Sequence, residues 1–219
     1  FVRKGYEFGR TNGSSTVGFF PEHIEDIPAS HTYPKVQRGS LVSETCEVAD
    51  MIALALKLTR LGIGDYWDDA DRWVRNQFAE NQLTRVDWVE RIPKPQKTVG
   101  TAYYETDDRV AERNVGAFAG WPSANDWTIY AGIQHCCTGN GARAIYYVWE
   151  NILQMEDGVL RVNLLLNRAS PWADVDSHIP YQGRVDLRIK QSCERVLVRV
   201  PEWIETGSDQ VTCRVNGQD

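Results

Sequence analysis

Residues 141–166 read GARAIYYVWENILQMEDGVLRVNLLL, and the fold class is decided within this stretch. Before Asp157-Gly158 the apolar residues recur with the helical period, and after this pair an apolar run begins at Val159. The first part predicts a helix over 141–153, and the second predicts a strand. The predicted apolar stripe of the helix comprises Ile145, Val148, Trp149 and Ile152. The chain therefore changes from helix-forming to strand-forming sequence near residue 155.

The residues before this change predict two more helices, joined by long loops. One covers 40–61, with Ser40 or Ser43 as the cap at its start and Gly62 at its end. The other covers 66–78 and carries an apolar face opposite a largely acidic one. The apolar face comprises Ala70, Trp73, Val74 and Phe78, and the opposite face comprises Asp68, Asp69, Asp71 and Arg75.

The residues after the change alternate with a period of two over 184–190, 195–200 and 211–216. This pattern predicts half-buried antiparallel strands joined by turns. Cys213 falls on the apolar side of its run, so we expect it to be buried. Asn216-Gly217 predicts a hairpin turn, and we expect the sequence to be a segment of a longer protein. Helices followed by a block of strands predict two domains, 1–155 and 156–219.

Composition and charge exclude several classes of protein. With 42% hydrophobic and 25% charged residues, the sequence is neither disordered nor of low complexity. No apolar run approaches the roughly 18 residues of a membrane span. A net charge of −6 and a pI of about 5.3 argue against nucleic acid and acidic membrane surfaces as partners. Eight Trp and nine Tyr are a mild indication of sugar-stacking surfaces, and a large aromatic core gives the same count.

Four residues form a candidate metal-binding set. Glu44 and Cys46 stand near the start of one predicted helix, and Cys136-Cys137 stands just before another. Adjacent cysteines do not readily bridge each other, but both can bind one soft metal ion. Three thiolates and a carboxylate form a tetrahedral set suited to zinc. The alternative, three buried thiols without a metal, is left open by the spacing alone.

These residues also carry a resemblance to a known family. Ser43-Glu44-Thr45-Cys46 and Cys136 to Gly141 (CCTGNG) together resemble the paired signature of glycoside hydrolase family 127, the β-L-arabinofuranosidases and their relatives. The runs GWPSANDW (120–127) and RVPEW (199–203) are similar to members of that wider group. The resemblance implies part of an (α/α)6 barrel over 1–155, followed by the start of an antiparallel β-sandwich over 156–219.

The resemblance further implies a zinc ion and a retaining glycosidase. Glu44, Cys46, Cys136 and Cys137 would be the Zn²⁺ ligands, and Cys136 would be the nucleophile. The implied substrate is an oligosaccharide or glycoside that ends in furanosidic arabinose or a related sugar.

The general acid/base departs from the family pattern. The family implies a Glu sixteen positions before Glu44, where this sequence has Pro28. Two acids lie nearby, and we expect Glu22 to take the role, with Glu25 as the alternative. Alternatively, both are ordinary acidic residues on the protein surface.

Five further residues are candidates for contact with a sugar. One directly precedes the cysteine pair, two lie further upstream of it, and two lie in the loop before residue 40. They are His135, Trp121, Trp127, His31 and Tyr33. Each has a structural alternative, either a hydrogen bond within the fold or core packing.

Two other functions stay open. The first is a non-catalytic, zinc-stabilised sugar-binding or scaffold protein that lacks the acid/base. The second, ranked last, is another helical-barrel enzyme such as a lyase or an epimerase. The assembly state is also open, with a homodimer as one alternative. Free thiolates favour a reducing cytosol, although bound zinc protects them elsewhere.

Overall fold

The computed structural model describes residues 1–12, 18–22, 42–91, 108–123, 127, 132–205 and 211–218. The helices are α1 (Val2–Asn12), α2 (Thr45–Arg60), α3 (Trp67–Trp73), α4 (Val110–Arg113) and α5 (His135–Ile152). A π-helical turn (Val74–Phe78) continues α3, and Val89–Arg91 is a 3-10 turn. The strands are β1 (Leu153–Glu156), β2 (Val159–Val162), β3 (Arg168–Ala169), β4 (Ala173–Ser177), β5 (Val185–Ile189) and β6 (Arg195–Val198). Across these ranges no helix has the combination of length and hydropathy that crossing a bilayer requires.

The strands form two three-stranded sheets, β1-β2-β6 and β3-β4-β5. The second sheet is antiparallel throughout, and β1 pairs antiparallel with β2. By contrast, β6 joins β2 in parallel, with Val159 opposite Arg195. The expectation of antiparallel strands is therefore wrong for this pair. The whole β3-β4-β5 sheet separates β2 from β6 in sequence, and such a long connection permits parallel pairing.

The described residues group into two compact units. The first contains 1–52 and 72–144, and the second contains 53–71 and 145–219. Both are discontinuous in sequence. The expected division at residue 155 stays a prediction about the whole protein. The same holds for the helical barrel before this residue and the β-sandwich after it.

The core of the first unit is aromatic. Tyr6 of α1 contacts Trp73 edge to face, with ring centroids 6.0 Å apart. Phe78 and Phe118 pack with centroids 5.0 Å apart. All four side chains are buried, and such aromatic pairs stabilise a core beyond their buried area.

The core of the second unit is aliphatic, with one partly buried ion pair beside it. Leu153, Leu160, Val162 and Val175 are almost completely buried. Arg199 Nη1 lies 2.7 Å from Asp68 Oδ2, and its Nε donates to the carbonyl of Asn163 at 2.7 Å. These contacts join the residues after β6 to α3 and to the residues after β2.

Helix α2 begins later than the apolar pattern predicts. The Ser43 hydroxyl is buried and has no hydrogen-bond partner among the described residues, so it does not cap the helix. Ser40 lies outside those residues. The predicted end is confirmed, because Gly62 has φ of +68° and the Ile63 amide donates to the carbonyl of Leu58 at 2.9 Å.

Helix α3 is covered on both sides. Ala70, Trp73 and Phe78 are buried as the pattern predicts, but Asp69 and Asp71 are buried as well. The amphipathic pattern therefore predicts the helix correctly, but it does not predict that residues on both faces are buried.

Helix α5 begins at His135, six residues before the predicted start at Gly141. Val148 and Ile152 are buried, whereas Ile145 is 42% exposed and Trp149 is 44% exposed. The predicted apolar stripe is thus wrong for two of its four members. Ala144 takes their place, since Ala144, Val148 and Ile152 recur every four residues on the buried face.

The last predicted strands differ from the structure in burial. All four residues of β6 are exposed, and Cys213 is exposed, so the expectations of half-burial for β6 and of a buried Cys213 are wrong. Residues 211–214 pair with no strand in the described part of the chain. The Asn216-Gly217 turn is confirmed, because both residues have positive φ and Val215 bridges Gln218.

An ion-pair group in the second sheet makes stability depend on pH. Lys190 and, next in effect, Arg188 donate to Asp174 and hold the pKa of this carboxyl at about 2, well below its ordinary value. A lowered folded-state pKa contributes stability above the ordinary pKa, near 4, and the contribution is lost as the pH falls toward 2. We expect Asp174→Asn to lower the free energy of unfolding at pH 6, and the difference from wild type to shrink between pH 4 and pH 2. Urea unfolding across this range measures it, and a constant difference would contradict the ion-pair origin.

Candidate metal centre

The four candidate ligands lie where the first turns of two helices meet, in the first unit. Glu44 directly precedes α2, and Cys46 is in its first turn. Cys136 and Cys137 are in the first turn of α5 rather than before it. The positive end of each helix dipole therefore faces the group, and this favours thiolate and carboxylate there.

The distances fit a single ion. One ligand atom from each of the four residues lies within 4.8 Å of all the others. Cys137 Sγ is 3.4 Å from Cys46 Sγ, 3.8 Å from Cys136 Sγ and 4.0 Å from Glu44 Oε1. Sulfur ligands about 2.3 Å from a tetrahedral ion lie about 3.8 Å apart. This Glu/Cys3 group could hold a metal ion, and the sequence prediction that the two distant segments meet is confirmed.

The three sulfurs differ in exposure. Cys137 is completely buried, Cys46 is partly buried and Cys136 is exposed. Only Cys136 of the three thus presents its side chain openly to the solvent. If one sulfur reacts with an external molecule, accessibility favours Cys136.

The segment Phe118–Pro122, here called the central segment, holds the two helix starts together. On one side, Ser43 N donates to Pro122 O at 2.9 Å and Thr45 N to Gly120 O at 3.3 Å. On the other side, Gln134 N donates to Phe118 O at 3.2 Å. These bonds connect the start of α2 to the start of α5 through the backbone, so the ligand positions do not depend on flexible side chains alone.

A buried side-chain network reinforces the α2 side of this arrangement. Thr45 Oγ1 donates to Ala119 O at 2.6 Å and accepts from Asn81 Nδ2 at 2.9 Å. Asn81 Oδ1 in turn accepts from Gln77 Nε2 at 2.5 Å. Buried polar groups that are paired in this way fix one geometry, because breaking any bond leaves an unsatisfied group behind.

The α5 side depends on close packing. The amide of Phe118 donates to Thr138 Oγ1 at 3.1 Å, and Gly141 lies flat against the ring of Phe118. A Cβ on Gly141 would lie 2.5 to 2.7 Å from three carbons of that ring. A glycine is therefore required here for α5 to approach the central segment.

The electrostatics of the group favour protonated thiols when no ion is bound. Burial raises the pKa of Cys137, and the sulfurs of Cys46 and Cys136 raise it further. Burial also raises the pKa of Cys46, although the hydrogen bond from Asn140 acts against this. A cation that binds here must displace these protons, because the thiolate is the metal ligand.

Asn140 is a candidate site residue that the sequence interpretation missed. Its Nδ2 lies 3.2 Å from Cys46 Sγ and can donate to it. Once α5 is known to include residues 135–140, the spacing is informative: Asn140 follows Cys136 by four residues and Cys137 by three, which puts it on the same helix face. Because the run CCTGNG was interpreted as preceding the helix, this signal was not available.

The sequence interpretation also missed Glu47, which belongs to a group of acidic residues beside the candidate ligands. Burial raises the pKa of Glu47 to about 8, and the charges of Glu44, Glu22 and Asp50 add to the effect. Its Oε2 is buried, with no hydrogen-bond partner within the described ranges. A bound cation would offset the charge of Glu44 and so lower this pKa. Since Glu22 acts on Glu47 electrostatically, the predicted acid/base lies in the same neighbourhood.

The predicted sugar-contact residues have varied surroundings. His135 is exposed at the first position of α5. Trp121 is half-buried, and its Nε1 is enclosed without a partner in the described structure. Trp127 packs edge to face on Trp88, with centroids 5.5 Å apart. His31, Tyr33 and Glu25 lie outside the described residues.

Comparisons with family models, curated proteins and solved structures find no match to this chain. The resemblance to glycoside hydrolase family 127 thus stays a prediction from the motifs.

Two glycines of α5 provide a matched test of how the centre is held. We expect Gly141→Ala to destabilise the protein by about 1–3 kcal/mol, because the buried ring of Phe118 must move. It should also weaken metal binding. Gly139→Ala is the control, since a Cβ there meets nothing within 4 Å, and alanine should stabilise the helix by up to about 1 kcal/mol. Thermal unfolding and zinc titration measure both effects. Equal effects of the two variants would contradict the packing argument.

Metal binding should release protons. Because the pKa values of Cys46 and Cys137 are raised, both thiols hold protons near neutral pH and must lose them to the ion. The apparent affinity should therefore rise about tenfold per pH unit for each proton released. Calorimetry in two buffers of different ionisation enthalpy counts the protons, and Cys213→Ser, an exposed thiol outside the group, should leave the count unchanged. A count of zero would show that these thiols do not bind the ion.

Proposed function

We propose that this protein is a zinc-thiolate retaining glycosidase. The observation that carries the proposal is the Glu44, Cys46, Cys136 and Cys137 group, whose ligand atoms all lie within 4.8 Å of one another. Zinc is the ion that three sulfurs and one carboxylate oxygen favour. When bound, it would keep its sulfur ligands deprotonated near neutral pH and so supply a thiolate.

Cys136 would act as the nucleophile. It is the exposed sulfur of the group and stands at the positive end of α5. Its Sγ would attack the anomeric carbon, so that a C–S bond forms as the bond to the leaving oxygen breaks. Water would then attack the same carbon, and the sulfur would leave again as thiolate. Two inversions of this kind retain the configuration of the sugar.

A carboxylic acid would protonate the leaving oxygen and then activate the water. Glu22 is the predicted acid/base, and its electrostatic effect on Glu47 supports its presence near the ligands. Glu47 is a second candidate. Burial raises its pKa to about 8 before an ion binds, which favours the protonated carboxyl that a general acid requires, and a bound cation would reduce this effect.

The substrate class follows from the motif resemblance, with a terminal furanosidic arabinose or a related sugar as the glycone. His135, beside the nucleophile, and Trp121, within the central segment, are the candidates for contact with the sugar. In the whole protein we expect the described helices to belong to an (α/α)6 barrel and the strands to a β-sandwich.

The nucleophile is tested with an aryl β-L-arabinofuranoside and zinc-loaded protein. We expect Cys136→Ser to lower turnover by at least about 10³-fold, because the nucleophile and a ligand are both lost. Cys193→Ser, a cysteine outside the group, is the matched control. Since loss of zinc alone would also lower turnover, a second measurement is required. Mass spectrometry of quenched wild-type protein should find one sugar attached to the peptide that contains Cys136. Unchanged turnover in Cys136→Ser would reject the mechanism.

The acid/base is tested by comparing leaving groups. Removal of the general acid should slow an alkyl glycoside far more than an aryl glycoside with a good leaving group. We expect this pattern for Glu22→Gln, and Glu47→Gln is measured beside it as the competing candidate. If neither variant discriminates between the leaving groups, neither residue is the acid.

A non-catalytic role is the second candidate, and the missing Glu at the family's expected position favours it. Four protein ligands can also enclose an ion completely, as in structural zinc sites. In that case zinc would raise the unfolding temperature, and sugars would bind without being hydrolysed. A sugar adduct on Cys136 would exclude this alternative.

A further inference from the structure

The second unit contains a cavity that the metal centre does not explain. Its volume is about 350 Å³, and its walls come from the end of α5, from β3, β4 and β5. Small-molecule sites usually measure about 300–1,000 Å³. The cavity therefore has room for a small ligand, and all of its lining residues belong to this one unit.

One wall is a fixed aromatic surface. Trp149 is 44% exposed, and the guanidinium carbon of Arg168 lies 4.2 Å from the centroid of its ring. Arg168 is itself 8% exposed and donates through Nη1 to the carbonyls of Glu150 at 2.9 Å and Leu153 at 2.7 Å. Arg168 lies over the indole and the ring of Tyr146 lies beside it, with centroids 6.2 Å apart, and Trp149 still keeps an exposed surface. The ring is thus held in place before any ligand arrives.

Other lining residues carry both donors and acceptors. Asn167 Oδ1 accepts from the Ser177 amide at 2.6 Å, which leaves the Asn167 NH2 group to donate. Asp176 is exposed on β4, two residues from Asp174 and thus on the same face of the strand. Arg188 lies opposite Asp174 in the sheet and is ion-paired with it.

Asp176 is unusual because it lies directly opposite another carboxylate. Its partner in the register is Asp186, which is paired with Arg184 and with His178. Among the described residues, Asp176 has no hydrogen bond or ion pair of its own, and Arg188 acts on it only electrostatically. Because Arg184 compensates the charge of Asp186, Asp176 is the carboxylate of this pair that stays available to a ligand that donates hydrogen bonds.

The charges of the walls indicate the class of that ligand. The cationic groups here already have partners: Arg168 donates to two carbonyls, and Arg188 and Lys190 are both paired with Asp174. Among the described residues of the site, no cation is therefore left for an anionic ligand, and a neutral molecule that donates hydrogen bonds fits the site. A sugar ring offers an apolar C–H face for an indole and hydroxyls that both donate and accept. We propose that this cavity is a second saccharide-binding site, in which a neutral sugar ring stacks on Trp149 and donates hydrogen bonds to Asp176. This proposal does not depend on the metal centre.

The test measures binding rather than turnover. The probes are free neutral pentoses and hexoses and their methyl glycosides, titrated into the full chain by calorimetry and ligand-observed NMR. We expect at least one probe to bind saturably to the wild type and to Cys136→Ser alike. Asp176→Asn should weaken binding about tenfold, as expected for loss of a hydrogen bond to a charged group. Trp149→Ala should abolish it.

Two controls separate local from general effects. Glu156→Gln removes an exposed carboxylate of the same unit, and Trp203→Ala removes an exposed indole of that unit; neither lines the cavity. Both should bind the probe as the wild type does. Because Trp149→Ala also frees Arg168, the conclusion depends on Asp176→Asn, whose folding is checked by circular dichroism.

Three results would overturn the proposal: no saturable binding of any probe, binding that Asp176→Asn leaves unchanged, or binding that Cys136→Ser abolishes. The last would locate the sugar at the metal centre. The protein could show no glycosidase turnover and still bind a sugar through Asp176. That result would reject the proposed glycosidase function and would support the saccharide-binding site in the cavity.

Discussion

The hydrogen bonds on both sides of the central segment, Phe118–Pro122, are the constraint on which the metal centre depends. One side pairs with Ser43 and Thr45 at the start of α2, and the other contacts Gln134 and Thr138 at the start of α5. The ligands come from two stretches of chain about ninety residues apart, and without this common neighbour nothing local would bring them together. The requirement for glycine at position 141 has the same origin, because α5 must approach the ring of Phe118 closely.

The candidate metal centre favours neutral side chains as long as no ion is bound. Cys137 is enclosed, the pKa values of Cys46 and Cys137 are raised by burial, and Glu47 lies among three other acids. Neutral thiols and a protonated carboxyl are the forms that such surroundings favour. A divalent cation reverses this preference, since it stabilises thiolate and carboxylate together. Folding, protonation and metal binding are therefore expected to be coupled in this unit.

The two candidate sites differ in their electrostatics. The metal centre combines sulfur with an excess of acids, as a cation requires. At the cavity of the second unit, Arg188 and Lys190 are already paired with Asp174 beside an exposed indole, which suits a neutral molecule. Each site lies within one compact unit, so each can be tested by substitutions that leave the residues of the other unchanged.

Part of the architecture could be predicted from the sequence because it depends on local periodicity. The helix of residues 45–60, its end at Gly62, the change to strands after Asp157-Gly158 and the turn at Asn216-Gly217 all follow from patterns within a few residues. The candidate ligand set could be proposed from donor chemistry, because three sulfurs and a carboxylate suit one soft ion. The spacing alone left three buried thiols as an alternative, and the structure then brought the four side chains together.

The tertiary structure decided which side chains are buried, which strands pair and which residues lie next to each other at the candidate site. The apolar residues Ile145 and Trp149 are exposed, the acids Asp69 and Asp71 are buried, and Cys213 is exposed, because each outcome depends on what packs against the element. The parallel pairing of β6 with β2 and the early start of α5 depend on contacts with residues distant in sequence. For the same reason, Asn140 and Glu47 became candidates only when the two helix starts were seen together. Periodicity predicts the conformation of one element. A site combines residues from several elements, and only the folded chain brings those residues together.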